Sequence, residues 1–257
     1  MTITAIVLFA LIGLLAGSLS GLLGIGGGVV IVPCLVFLLG FNEHLAQGTT
    51  LALMVPPIGL LAAWHYYRNG QVNLRVAALI CLGFVFGGLL GARLALILSN
   101  HALEKVFGFG LALIAVKMLT SHPQEEEADA GKTYSQMKLS TGILFIVLGL
   151  TAGAVSGLIG IGGGVIVVPA LVFLFGMSQH RAQGTTLALM VPPCGLLAAW
   201  QYFRQGNVDV HAGIVICVGF FLGGFLGAKL AGHMSNRIMA RFFGCSMLVI
   251  AIKMLLA

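Results

Sequence analysis

The sequence predicts an all-α, polytopic membrane protein with two homologous repeats, each interrupted by a glycine-broken half-helix. Apolar residues make up 59% of the 257 residues and charged residues only 8%, whereas soluble domains carry about 25% charged residues. Such a chain cannot cover a surface that faces water. Residues 21–70 and 157–206 are identical at 37 of 50 aligned positions, which defines the repeat. Both repeats contain a glycine cluster within apolar sequence, which a regular helix would not tolerate.

Each repeat contains five apolar segments. A helix needs about 20 apolar residues to cross a bilayer, so the first, third and fourth segments are long enough and the fifth is near the lower limit. The second segment is too short to cross alone. It predicts a half-helix that starts at the glycines and either re-enters the membrane or completes a broken span. The segments are residues 3–23, 29–41, 47–67, 74–98 and 103–119, and then 140–159, 165–177, 183–203, 210–232 and 237–256.

These segments divide the chain into three parts. Residues 1–119 form the first transmembrane repeat, residues 120–139 a polar linker and residues 140–257 the second transmembrane repeat. Four of the seven acidic residues lie in the linker, which is therefore expected to be solvated. No basic region precedes the first apolar segment, so we expect a permanent span there rather than a cleaved signal peptide.

The distribution of basic residues favours inverted repeats. If each repeat crosses the membrane an odd number of times, nine basic residues lie on the cytoplasmic side and four outside. A parallel arrangement would place about seven inside and six outside. Because cytoplasmic loops are enriched in Lys and Arg, we expect inverted repeats with both termini outside. The nine residues are Arg68, Arg75, Lys117, Lys132, Lys138, Arg181, Lys229, Arg237 and Arg241.

Several functional classes are disfavoured by what the chain contains. The net charge of +6 comes from basic residues scattered singly through short loops, which is not the pattern of a nucleic-acid-binding protein. The cysteines are isolated in apolar segments, so neither a disulfide framework nor a metal site is expected, and no cofactor is predicted. The chain has no HExxH or GxSxG motif, so we do not expect an enzyme. No Asp or Glu lies in the middle of a segment, which argues against a carboxylate-based cation site.

The two glycine clusters are the first candidates for a binding site. Unwound backbone inside a bilayer is tolerated only where it is buried in protein or lines a cavity. A P-loop is excluded, because Val29 and Val165 stand where Lys and Ser or Thr would be needed. A turn that leads into a half-helix presents unpaired N–H groups and a positive dipole end, which bind anions. The predicted substrate-binding glycines are Gly24, Gly26, Gly27, Gly28, Gly160, Gly162, Gly163 and Gly164.

Other glycines are expected to serve only close helix packing, because small residues let membrane helices approach one another. These are Gly83, Gly87, Gly88 and Gly91 of the first repeat and Gly219, Gly223, Gly224 and Gly227 of the second.

A Gln-Gly-Thr-Thr sequence recurs without change at the start of the third segment of each repeat. Its amide and hydroxyl groups are neutral donors that can hold an oxyanion without a permanent buried charge. The alternative is that the Thr hydroxyls donate to carbonyls one turn earlier in their own helices. The predicted binding residues are Gln47, Thr49, Thr50, Gln183, Thr185 and Thr186.

Prolines, histidines and aromatic residues complete the set of candidates. Paired prolines in the third segments should kink or break them, and the result is either a hinge or a static bend. These are Pro56, Pro57, Pro192 and Pro193. His44 and His180 match between repeats and are read as loop residues, with proton coupling as the alternative. The aromatic residues near the span ends, Trp64, Tyr66, Tyr67, Trp200 and Tyr202, are expected to form an interfacial belt.

The combined motifs resemble a known family. Glycine-rich motifs that end in Pro33 and Pro169, a Gly-Thr-Thr-Leu segment, a Tyr/Phe-Arg-x-Gly loop and a Gly-Gly-x-x-Gly-Ala-Arg/Lys span are similar to those of the TauE/SafE family. The resemblance covers almost the whole chain apart from the linker. It implies a transporter of a small sulfur-containing anion or an organic anion in the prokaryotic cytoplasmic (inner) membrane. It also implies that the glycine breaks and the paired threonines surround the substrate.

We therefore expect a multi-pass transporter of sulfite, or of a related sulfonate or organic anion, that works by alternating access. An anion channel that uses the same helix-terminus site without alternation is the alternative. The expected partners are the small anionic substrate and membrane lipid, without nucleic acid. Proton coupling and a homo-oligomeric state are both compatible with the sequence.

Overall fold

A computed structural model describes residues 3–95, 112, 115–116, 119–120, 139–160 and 162–256. Within these ranges the chain is helical and contains no β-strand, which confirms the all-α prediction. Most of the predicted segment 103–119 and of linker 120–139 lies outside the described residues, as does Ile161.

The helices repeat in the same order in the two halves. The first half contains α1 (Ile3–Leu23), α2 (Gly28–Leu39), α3 (Glu43–Leu53), α4 (Leu60–Arg68) and α5 (Leu74–Ala95). The second contains α6 (Leu139–Ile159), α7 (Gly164–Phe173), α8 (Gln179–Leu189), α9 (Leu196–Arg204) and α10 (Val210–Ala231), followed by α11 (Asn236–Leu256). Among the described helices, α1, α5, α6 and α10 are 21 or 22 residues long and apolar enough to cross a membrane.

Each long helix packs against a long helix of the other half through glycines. A Cβ atom placed on these glycines would collide with the backbone of the partner helix, so the two helix axes can approach closely only because side chains are absent there. The contact positions rise in step along both helices, so α1 and α10 run parallel. Along this pair, Gly13, Gly17 and Gly21 of α1 meet Ile216, Phe220 and Gly224 of α10.

The same arrangement joins α5 to α6. Gly83, Gly87 and Gly91 of α5 meet the backbone of Ile146, Leu150 and Ala154 of α6, so these helices are also parallel. On α10, Gly219, Gly223 and Gly227 meet the backbone of Ala10, Leu14 and Ser18. The packing role is confirmed for these six glycines, whereas the other two predicted, Gly88 and Gly224, have room for a Cβ atom.

The short helices α2 and α7 turn back along the helices that precede them. The ring of Phe41, just after α2, lies 6.3 Å from the ring of Phe9 in the first half of α1. In the second half, Phe175 stacks on Phe145 with ring centroids 4.2 Å apart. The chain therefore reverses at each glycine cluster, and the predicted half-helices that start at the glycines are confirmed.

Each third segment is divided into two short helices by its prolines. A turn over residues 54–59 separates α3 from α4, and a turn over residues 190–195 separates α8 from α9. The first turn is closed by the Ile58 N–H, which donates to the carbonyl of Pro56 at 2.7 Å. The predicted break is therefore present, although neither half of the segment is long enough to cross a bilayer alone.

The outer faces of the long helices are apolar. Exposed side chains include Leu15 of α1, Phe86 of α5, Leu144 of α6 and Leu222 of α10. Such faces are suited to hydrocarbon rather than to water, as expected of a multi-pass membrane protein.

Candidate functional site

The two glycine bends meet at the interface between the halves. A Cβ atom on Gly26 would lie 3.7 Å from the Cα of Gly162, and one on Gly162 would lie 3.6 Å from the Cα of Gly26. Both residues have left-handed backbones, with φ of +83° at Gly26 and +86° at Gly162. Residues that carry a side chain rarely adopt this backbone conformation, so glycine is required here for the backbone angle. Residues 24–29 and 162–165 are buried.

The bends place the first turns of α2 and α7 at this interface. In α2 the N–H of Gly28 donates to the Gly26 carbonyl, and those of Val30 and Ile31 donate to Gly27. The N–H of Val29 has no partner within the described part of the chain. In α7 the N–H groups of Gly164 and Val165 likewise have none among the described residues. Donors in the first turn of a helix sit at the positive end of its dipole and favour an anion.

Each glycine bend is covered by a glutamine of the opposite half. A Cβ atom on Gly24 would lie 2.9 Å from the Cα of Gln183, and one on Gly160 would lie 2.9 Å from the Cα of Gln47. Gln183 is fully buried and Gln47 is 3% exposed. The structure thus brings together the predicted glycines and both predicted glutamines, and each half-site contains residues of both repeats.

Two buried tyrosines orient these glutamines. The Tyr66 hydroxyl lies 3.2 Å from the carbonyl oxygen of Gly21 and 3.4 Å from Oε1 of Gln183. The Tyr202 hydroxyl lies 3.2 Å from both the Gly157 carbonyl oxygen and Oε1 of Gln47. Because a phenol has one hydrogen to donate, it serves one acceptor at a time. When it bonds the amide oxygen, it fixes the direction of the NH₂ group.

The Gln183 amide has a donor that no described part of the protein uses. Its Nε2 atom is buried and has no hydrogen-bond partner among the described residues. A buried donor without a partner costs about 1–3 kcal/mol, so such groups usually mark a missing acceptor. This donor lies on the residue that packs against Gly24 of the first glycine bend.

Sequence reasoning misplaced Tyr66 and Tyr202. They were expected in the interfacial belt, but they are only 1% and 0% exposed, whereas Trp64 and Trp200 are more than half exposed. The reason is helical periodicity, because Tyr66 shares the buried face of α4 with Ala62 and Ala63. A signal existed, since position 66 is Tyr in both repeats while the exposed Tyr67 is replaced by Phe203.

The hydroxyls of the predicted threonines bond to backbone groups of helices and helix starts rather than to the glycine bends. Thr50 donates to the Ala46 carbonyl and Thr186 to the Ala182 carbonyl, each at 2.7 Å. This is the back-bonding alternative that the sequence left open. The Thr49 hydroxyl accepts from the Asp209 N–H, where α10 begins.

Thr185 repeats this contact in the other half, because its hydroxyl accepts from the Asn73 N–H just before α5 begins. All four threonines are fully buried. Their role in substrate binding stays a prediction.

An aromatic ring and a methionine close each bend. Phe220 lies against Gly27 and Phe84 against Gly163, so that neither glycine could carry a side chain. Met190 and Met54 lie against Gly26 and Gly162 in the same way. The interface is therefore polar at its backbone and glutamine groups and apolar elsewhere, and no residue in these contacts is charged.

The remaining candidates lie outside this cluster. The four prolines are exposed at the breaks between α3 and α4 and between α8 and α9. The Nε2 atom of His180 lies 3.1 Å from the carbonyl oxygen of Ala231 at the end of α10. The hinge and proton-coupling roles stay predictions. Within the described residues, no three His, Cys, Asp or Glu side chains come close enough together to hold a metal ion.

Comparisons with known proteins agree with this architecture. The sulfite exporter TauE/SafE family matches residues 9–254. A probable membrane transporter protein of Xylella fastidiosa (strain 9a5c) is 32% identical over 256 residues, which cover 98% of this chain and 95% of the relative. The probable membrane transporter protein YunE of Bacillus subtilis (strain 168) is 26% identical over 271 residues, with 94% and 97% covered.

A third relative, from Haemophilus influenzae, is also described as a probable membrane transporter protein and is 29% identical over 280 residues, with 98% and 99% covered. No solved structure matches the chain significantly. Because the family match extends over nearly the whole sequence and includes both glycine bends, the chain belongs to the TauE/SafE family of membrane transporters.

Proposed function

We propose that this protein transports sulfite, or a related small sulfonate or organic anion, through a site where the two glycine bends meet. The observation that carries the proposal is the buried Nε2 donor of Gln183, which has no partner in the described chain and belongs to the residue that packs against Gly24 of the first glycine bend. A second line of support is the description of the family as sulfite exporters.

The chemistry of the site favours a small oxyanion. Its polar groups are backbone N–H groups and the amides of Gln47 and Gln183, which are neutral donors. Carboxylates are absent from these contacts, so an anion would meet no like charge. The glycine backbones approach within van der Waals distance, so the substrate would be compact. An oxyanion with several acceptor oxygens would satisfy donors from both halves at once.

We further propose that the two repeats are inverted and that transport proceeds by alternating access. Support comes from contacts that relate the helix directions. Gly24, which directly follows α1, lies against Gln183 of α8. Thr185, also in α8, accepts a hydrogen bond from the Asn73 N–H just before α5 begins. The end of α1 is therefore near the start of α5, as expected for antiparallel helices. Since α6 is parallel to α5, it runs opposite to α1, its counterpart in the first repeat.

Alternation would need a part that moves. The breaks at residues 54–59 and 190–195 are the candidate pivots, because each joins two short helices through a turn with few regular hydrogen bonds. The parallel pairs α1–α10 and α5–α6 are packed backbone against backbone and would move as rigid units.

Sulfite flux into proteoliposomes of the purified protein tests the proposal. Saturable uptake that sulfate or thiosulfate inhibits, absent from empty liposomes, is the expected result. Counterflow of labelled sulfite against an internal sulfite load would support alternation, whereas linear, non-saturable flux would support a channel. Measurement with and without a pH gradient would test proton coupling. The absence of sulfite flux from folded protein would contradict the substrate assignment.

A further inference from the structure

Two free cysteines face each other where α5 meets the break between α8 and α9. The Sγ atoms of Cys81 and Cys194 lie 2.8 Å apart, closer than the usual contact between two thiols. Cys81 lies on α5 of the first half and is half-buried, whereas Cys194 is buried and directly follows Pro192 and Pro193. A small movement would bring the two sulfur atoms to the bonding distance of about 2.05 Å.

Only one of the two symmetry-related positions in the repeats carries a cysteine pair. Cys217 is the counterpart of Cys81, but Ile58 stands at the counterpart of Cys194. Ile58 is buried in the core cluster against which Cys217 packs. The first break therefore has one thiol and an isoleucine where the second has two thiols. This difference provides a natural control, because Cys194→Ile gives the second break the residue of the first.

The reduced pair also has a structural role. Leu189 is the last residue of α8, so its carbonyl has no partner within the helix. The Cys194 thiol donates to this carbonyl at 2.7 Å. With that hydrogen engaged, the Cys81 thiol is the donor toward Cys194. The thiol form thus stabilises the end of α8, and the disulfide form would replace this hydrogen bond with a covalent link to α5.

We propose that Cys81 and Cys194 form a redox-dependent latch, in which a disulfide ties the break at residues 190–195 to α5. The oxidant is a small disulfide that reaches the half-buried Cys81. The Cys81 thiolate attacks the oxidant and releases one thiol, and the Cys194 thiolate then attacks the mixed disulfide and releases the second. The protein loses two hydrogens and gains one S–S bond, and the oxidant becomes two thiols.

The consequence of the latch is local. The backbone N–H of Cys194 donates to Pro192 and that of Leu196 donates to Pro193, and these are the bonds that define the break. A covalent link at Cys194 restricts their opening. If the break is a pivot, as the proposed function requires, the latch also slows transport.

Treatment of the purified wild-type protein with dithiodipyridine tests whether Cys81 and Cys194 form a disulfide. Peptide mass spectrometry should find Cys81 joined to Cys194 without a pyridyl adduct, and a reducing agent should reverse the link. Hydrogen exchange of the backbone at residues 190–196 should slow about tenfold on oxidation. In Cys194→Ile, Cys81 should keep its pyridyl adduct and exchange at the break should not respond to the oxidant.

Two outcomes overturn the proposal. Separate adducts on Cys81 and Cys194 in folded protein would show that the thiols do not pair. A disulfide that leaves hydrogen exchange at the break unchanged would show that it is not a latch. Sulfite flux on the same samples is a separate readout: its loss on oxidation in wild type, but not in Cys194→Ile, supports the pivot. Absent flux in reduced protein would count against the proposed substrate, while mass and exchange would still decide the latch.

Discussion

The two glycine bends have nearly the same sequence and the same neighbours, yet their backbones are held differently. In the first half the Gly26 N–H donates to the Ser20 hydroxyl at 3.1 Å. In the second half the hydroxyl of Ser156, the counterpart of Ser20, is buried without a partner in the described chain. The φ angle is +72° at Gly27 but −71° at Gly163.

This comparison separates the frame of the site from its adjustable part. Glycine packing between the long helices and the Tyr–Gln contacts are the same in both halves, so they form the frame. The hydrogen bonds at the bends differ, so the two halves hold their bends in different arrangements on one frame. A transporter with alternating access needs this combination, because its two half-sites must be alike in chemistry and unlike in conformation at any moment.

The largest effect is expected from a side chain at the meeting point. Gly26→Ala with Gly162→Ala adds two methyl groups where the backbones meet, and it also strains two left-handed residues. We expect sulfite flux to fall at least about 100-fold, because the two halves can no longer approach.

The control is Gly70→Ala with Gly206→Ala. Those glycines also have positive φ, but a Cβ atom on either meets nothing within 4 Å. The control should lose some stability and keep its flux. Equal loss of flux in both variants would show that backbone strain, rather than the meeting of the bends, is responsible.

The second largest effect, on stability, is expected at the glycines that pack the long helices together. Gly87→Ala and Gly223→Ala place a methyl group on the backbone of Leu150 and Leu14, respectively. Each should lower the stability of the detergent-solubilised protein by about 1–3 kcal/mol, seen as a lower thermal midpoint. The neighbours Gly88 and Gly224 have room for a Cβ atom at more than 3.6 Å from other atoms, so their Ala variants should be close to wild type. If all four Ala variants lowered the thermal midpoint equally, close backbone contact at Gly87 and Gly223 would not be what holds the long helices together.

The tyrosines should have a smaller and equal effect in the two halves. Tyr66→Phe and Tyr202→Phe remove the hydroxyl that orients Gln183 or Gln47, and each should raise the apparent KM for sulfite about tenfold, or ~1.4 kcal/mol. Tyr67→Phe is the matched control, because Tyr67 is exposed and the second half already has Phe203. An effect confined to one half would show that only one half-site binds the anion.

The smallest effect should distinguish the two bends. Ser20→Ala removes the acceptor of the Gly26 N–H and should destabilise the protein by about 0.5–1.5 kcal/mol. Ser156→Ala removes a hydroxyl that has no partner in the described residues, so stability should stay the same or rise slightly. Equal destabilisation by both variants in thermal unfolding would mean that the two bends are held alike.

The sequence was sufficient to predict the repeats, the half-helices and the broken third segments. These features follow from local chemistry, because glycine clusters and paired prolines break a helix wherever they occur. The packing glycines of α5 and α10 were also predicted from their spacing, but Gly13, Gly17 and Gly21 of α1 were not. Which helices they join was not predictable, because the pairing of α1 with α10 depends on contacts between residues about 200 positions apart.

The site was only partly predictable for the same reason. The glycines and glutamines were found because they recur unchanged, but recurrence does not show that Gln183 covers the bend of the opposite half. Tyr66 was misread because an aromatic residue near a span end is typical of a membrane belt. Only its place on the buried face of α4 distinguishes it from Trp64.

The most direct test of the account is sulfite uptake by the glutamine variants. Gln47→Leu and Gln183→Leu should each weaken apparent sulfite affinity about tenfold, and the double variant should lose uptake, because both half-sites lose their amide donor. Gln205→Leu, an exposed glutamine outside the site, should behave as wild type. If the folded double variant takes up sulfite with wild-type kinetics, the glutamine-covered glycine bends are not the substrate site.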